Sequence, residues 1–173
     1  EYVGGLVGDN VQGNISRSYA SANIDGFAAV GGLAGANSAG SIIQSYAIGA
    51  VSGTQGVGGL IGYNDLGNVT TSYATGKVDG DSDVGGLIGF DSRGQVANSF
   101  WDVESSGVGS AGDDNFGATG KTTAELKTLS TFIDAGWDVA GETANGTDDV
   151  WTIQEPESGY ISYPYLTSIS YDT

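Results

Sequence analysis

Carboxylates are the residues of this chain whose types and spacing could do chemistry. Asp113 and Asp114, beside Asn115, lie in a glycine- and serine-rich stretch, and Asp148 and Asp149 lie together further on. Clustered oxygens of this kind suit calcium, which takes six to eight of them. Neither EF-hand nor nonapeptide calcium spacing accompanies them, so a solvated acidic loop is the plainer reading. Asp25 and Asp79 are a second kind of pair. Two carboxylates about 5–9 Å apart can hydrolyse a glycosidic bond, but Ser52 stands at the equivalent position between these two. Histidine and cysteine are both absent, which removes imidazole acid–base chemistry, thiolate nucleophiles and a disulfide framework. The cations are Arg17, Lys77, Arg93, Lys121 and Lys127, too scattered to stabilise the enolate of a polysaccharide lyase. The expectation is a protein that is not an enzyme and needs no cofactor, with calcium as the open alternative.

The charge balance narrows the partners. With 21 acidic residues against 5 basic ones, the net charge is −16, and such a surface repels nucleic-acid phosphates and anionic lipid. No run of 18 apolar residues marks a transmembrane helix. Neither nucleic acid nor insertion into a membrane is expected. Asn14, Asn68 and Asn145 each open an Asn-x-Ser/Thr triplet that glycosylation would use in a secreted protein.

The elements that would hold these residues follow from an internal repeat. Val-Gly-Gly-Leu begins at Val3, Val30, Val57 and Val84, a constant step of 27 residues. The same step carries Ser18-Tyr19-Ala20 to Ser45-Tyr46-Ala47, Ser72-Tyr73-Ala74 and Ser99-Phe100-Trp101. A constant period stacks like on like in a one-dimensional array. Glycine, 31 residues in all, is too frequent for helical repeats and recurs at the ends of short apolar runs, where corners need a positive φ or close backbone approach. The expected fold is all-β: a parallel β-solenoid (β-helix) of four 27-residue coils over 1–107, with about three short strands per coil. Residues 108–173 would form an irregular C-terminal cap.

In such an array each position of the coil becomes a ladder. Leu6, Leu33, Leu60 and Leu87 form an aliphatic one; Val3, Ile15 and Ile24 each begin another. Asn10, Asn37, Asn64 and Asp91 occupy one corner, where stacked amides could hydrogen-bond along the axis and satisfy turn backbone. Tyr19, Tyr46 and Tyr73 form an aromatic ladder continued by Phe100. Strand alternation turns Ala20 inward and Tyr19 outward, while a bend near Arg17 would reverse them. Buried, the rings are core; exposed, they offer a platform to sugar rings or another protein.

Past Gly107 the period ends and 108–119 reads as a loop. Thr122 with Glu125 has capping-box spacing for one short helix that would turn Leu126, Leu129 and Phe132 or Ile133 to one side, stopped by Gly136. A solenoid end needs a lid over its apolar core and free strand edges, and the aromatics Trp137, Trp151 and Tyr163 suit one. The first coil lacks a comparable segment, so either further coils precede it in a longer protein or another molecule covers it, as in head-to-tail stacking of copies into a filament.

The repeated Gly58-Gly59-Leu60-Ile61-Gly62, followed by Gly67-Asn68-Val69-Thr70-Thr71-Ser72-Tyr73-Ala74-Thr75-Gly76-Lys77-Val78, resembles the GLUG motif of large bacterial and archaeal surface proteins. Ser99-Phe100-Trp101-Asp102, Gly120-Lys121-Thr122 and Tyr163-Pro164-Tyr165-Leu166 are similar to the usual end of such arrays. The resemblance implies an extracellular, filamentous-haemagglutinin-like adhesin or stalk at the cell surface, with protein subunits, matrix components or glycan as partners. The motif also accompanies immunoglobulin A peptidases, outside their catalytic part. It supplies no catalytic residue to carry over.

Overall fold

The computed structural model describes residues 1–110, 112, 117–153 and 162–167. Two compact units divide the chain, Glu1–Lys121 and Thr122–Thr173.

The first unit is a parallel β-solenoid of about four turns. Each coil crosses five narrow sheets rather than three. Val3–Gly4, Ala28–Gly31, Gln55–Gly58 and Ser82–Gly85 form the first sheet, and Val7–Val11, Ala34–Ser38, Ile61–Asp65 and Ile88–Ser92 the second. Asn14–Ser16 opens the third, Tyr19–Ala20 the fourth and Ile24–Asp25 the fifth. Every pairing among them is parallel, and the 27-residue step is the register itself: Val57 lies between Val30 and Val84, and Tyr73 between Tyr46 and Phe100.

Left-handed residues explain the extra strands. Gln12, Ala39, Leu66 and Arg93 share one corner with φ between 52° and 62°, and Arg17, Gln44, Thr71 and Asn98 share the next with φ between 47° and 51°. Each reverses the local pleat and cuts an extended run in two. Corners of positive φ are thus mostly built from residues with side chains, so of the two uses expected of glycine, a positive φ or close backbone approach, the second prevails. A third such column, Ala29, Gly56 and Asp83, contains one glycine.

Most coil glycines serve close approach instead. Within Val-Gly-Gly-Leu the chain doubles back, so that the first and second sheets lie backbone to backbone. A methyl group on Gly62 would fall on the backbone of Ala29 and Val30, and one on Gly31 on the carbonyl of Ala34. This glycine waist divides the interior into two apolar columns rather than one. The larger holds Leu33, Leu60, Leu87, Ile42, Ile61, Val69 and the alanines of the fourth sheet. The smaller holds Val30, Val57, Val51 and Val78.

The larger column ends in Trp101, which stands where earlier coils carry Ala20, Ala47 and Ala74. Its indole lies over Gly86, donates from Nε1 to the Val108 carbonyl at 2.9 Å, and packs with Val103 and Ala118; Val108 packs on the smaller column. Asp102 caps a one-turn helix, α1 (Val103–Ser106), by accepting from the amides of Glu104 and Ser105. Ala118–Lys121 then adds a fifth strand beside Ser99–Asp102. Ala118 and Thr119 are therefore strand, not loop: Ala-Thr-Gly-Lys has no apolar alternation to announce it, and a waiting strand edge fixes its conformation. In the first coil Leu6 is 49% exposed, whereas Leu33, Leu60 and Leu87 of the same ladder are sealed.

In the second unit Thr122 and Glu125 form the reciprocal capping box, Thr122 N–H to Glu125 Oε2 at 2.8 Å and Glu125 N–H to Thr122 Oγ1 at 3.2 Å. The single expected helix is split: a 3-10 turn spans Glu125–Lys127, Thr128 is extended, and α2 covers Leu129–Ile133. With α1, the described residues hold more helix than the one segment expected. Leu126 and Phe132 are buried, and Phe132, Trp137 and Trp151 form a tilted aromatic stack with centroids 4.9 and 4.7 Å apart. Trp151–Thr152 pairs antiparallel with Tyr165–Leu166.

Candidate functional site

Two polar ladders run the length of the solenoid. Asn10 Nδ2 donates to Asn37 Oδ1 at 2.8 Å, Asn37 to Asn64 at 2.9 Å, and Asn64 to Asp91 at 3.1 Å. Each amide also donates to the carbonyl three residues on, Gly13, Gly40 or Gly67. Asp91 has no amide hydrogens and instead accepts the Gly94 N–H at 2.9 Å. The column is buried throughout, so its side chains satisfy corner backbone and offer nothing to a ligand.

The second ladder was not singled out in the sequence, although its signal was there: serine precedes each of Tyr19, Tyr46, Tyr73 and Phe100. Ser18, Ser45 and Ser72 donate their backbone N–H to Oγ of Ser45, Ser72 and Ser99 at 3.1–3.2 Å. Each hydroxyl then donates to the carbonyl two residues back.

Tyr19, Tyr46 and Tyr73 are stacked, with centroids 5.1 and 5.0 Å apart. The neighbouring alanines lie in the core cluster, which agrees with strand alternation. The rings are nonetheless enclosed: Tyr46 is 2% and Tyr73 1% exposed, and Tyr19 is half-buried. Two sealed rings of three leave no platform for a sugar.

The carboxylates of Asp25 and Asp79 are both engaged. Asp25 accepts from Ser52 Oγ at 2.7 Å, and Asp79 pairs with Lys77 at 3.3 Å on an exposed face. Asp138 accepts the N–H groups of Asp148 and Asp149, which makes their acidic loop a backbone turn held by a side chain. Asp113 and Asp114 lie outside the described residues. Among the described residues no three His, Cys, Asp or Glu side chains converge as a metal site. Of the glycosylation triplets, Asn145 spends its amide on the Ile133 and Trp137 carbonyls, while Asn14 and Asn68 are exposed.

The feature with the shape of a binding site is a groove of about 360 Å³ on the outer side of the glycine waist. Ala28, Ala29 and Gly56 line it where the left-handed column bends the first sheet. Tyr63 and Phe90 form one wall, stacked with centroids 5.5 Å apart and planes within 5°. Gln55 and Asp83 contribute a polar group, Nε2 donating to Oδ2 at 3.1 Å, and Tyr2 also lines the groove. Below Tyr63 the register places Ala36, so the face of Tyr63 turned from Phe90 meets no second ring in its own ladder. Sequence reasoning missed this site because its positions do not repeat in kind: one ladder reads Asp9, Ala36, Tyr63, Phe90. The available signal was two aromatics 27 residues apart.

Comparison with known families gives one match. The model of the GLUG motif matches residues 1–25 and 53–79, about one coil each. No curated protein and no solved structure matches the chain.

Proposed function

We propose that this chain, which carries the GLUG motif on a β-solenoid, is a structural and adhesive module of an extracellular surface protein, and that it is not an enzyme. One observation carries the reading: the amide ladder from Asn10 to Asp91 runs unbroken through four coils. It ties identical corners into a stiff column while leaving outward positions free to vary. A scaffold of this kind holds surface residues at fixed spacing and suits display more than turnover. The acidic surface, with net charge −16, favours solubility and spacing from anionic envelopes.

Trp101, Val103 and Val108 close the fourth coil, and that shapes the assembly. Head-to-tail stacking of copies into a filament remains the second reading, and it requires the Trp101 end to open. Protease shaving of intact cells, followed by detection of solenoid peptides in the released fraction, tests the surface assignment. Recovery only from lysed cells would overturn it.

A further inference from the structure

We infer that the groove between Gln55, Asp83 and the Tyr63–Phe90 wall is a binding site for a short neutral saccharide. This names a ligand class for the adhesive role proposed above and rests on that reading.

Four observations select the ligand. The groove combines an aromatic wall with a planar amide and a carboxylate already paired to each other at 3.1 Å. Pyranose rings need that combination: their C–H faces lie on aromatic carbon, and their vicinal hydroxyls take planar donors and acceptors. No basic residue lines it, and Asp83 does, so anionic sugars are disfavoured by charge. The strand Gln55–Gly58 is already paired on both sides, with Ala28–Gly31 and Ser82–Gly85. It has no free backbone to accept an extended peptide by strand addition. The volume, about 360 Å³, is at the small end for ligand pockets and suits a short saccharide.

The repeat supplies substitutions the fold already accommodates. Tyr63→Ala copies Ala36, Gln55→Ala copies Ala28, and Asp83→Gly copies Gly56, each at the same register. The test titrates the whole chain with neutral gluco-, manno- and galacto-oligosaccharides, with uronic-acid oligosaccharides, and with an extended peptide pool, recording amide NMR shifts. Neutral sugars are expected to move the amides of Gly56, Tyr63 and Asp83. Tyr63→Ala is expected to weaken binding about five- to tenfold, the scale of one lost ring contact, and the Gln55→Ala, Asp83→Gly double variant to abolish it. Tyr63→Phe should bind nearly as wild type. Absence of shifts at millimolar neutral sugar, equal binding by Tyr63→Ala, or shifts at the groove with uronic acids or peptides alone would each overturn the inference. The surface assignment is read separately by protease shaving, so failure of one leaves the other standing.

Discussion

Asn37 donates to Oδ1 of Asn64 at 2.9 Å, and the two side chains, 27 residues apart in sequence, are wholly buried. That bond has a direction. Every amide in the column gives its hydrogens toward the later coil and to a corner carbonyl, and the column ends on Asp91, a group that accepts.

Direction makes substitutions unequal. Asn37→Ala leaves the Gly40 carbonyl only its Asn68 N–H donor, removes the acceptor of Asn10 and the donor to Asn64, and should cost about 1–3 kcal/mol for unmade buried hydrogen bonds. Asn37→Asp should be worse, because a carboxylate cannot donate to Gly40 or Asn64 and its charge is buried. Asp91→Asn keeps an oxygen for Asn64 and for Gly94, and should cost less than either. Urea denaturation of the three variants checks the order; a more damaging Asp91→Asn would refute it.

The serine ladder gives a second inequality. Ser72 Oγ accepts the buried Ser45 N–H at 3.1 Å, so Ser72→Ala leaves that donor unmet and should cost about 1–3 kcal/mol. Ser18 is only half-buried, and Ser18→Ala should cost less. Hydrogen exchange is the direct readout: the Ser45 amide should exchange faster in Ser72→Ala and be unchanged in Ser18→Ala.

The waist is the least tolerant part of the coil. Gly62→Ala places a methyl group on the Ala29–Val30 backbone, which cannot rotate away as a side chain would. Overpacking costs about 1–3 kcal/mol even where side chains can shift, so this variant should lose at least that much and disorder the neighbouring coils. Gly109, with nothing within 4 Å of an added methyl, should accept alanine freely. Thermal melts of the pair decide whether glycine is required here by contact.

The coil and its register were legible because an unbroken 27-residue step leaves one way to stack Val3 on Val30. The division of each coil was not. Left-handed Gln12, Leu66 and Arg93 carry side chains with no common signature, since the corner is imposed by pairing above and below. The waist was hidden for a related reason: Gly31 and Gly62 could serve a corner or a close approach, and only the opposing backbone shows which. The groove escaped notice because ligand positions are where a repeat departs from itself, and Tyr63 over Ala36 is such a departure.

Trp101 tests whether the last coil is a built terminus. The fourth sheet carries alanine at this position in three coils, and tryptophan closes the larger column over Gly86. Trp101→Ala restores the alanine pattern but removes the plug, and should cost about 3–5 kcal/mol, as large-to-small core substitutions do. It should also change assembly, because the uncovered column then presents an apolar surface to a second copy. Light scattering across a concentration series should show association by Trp101→Ala beyond that of the parent chain. If the variant is destabilised but associates no more than the parent, the indole holds the coil together without guarding its end, and head-to-tail growth must be limited elsewhere.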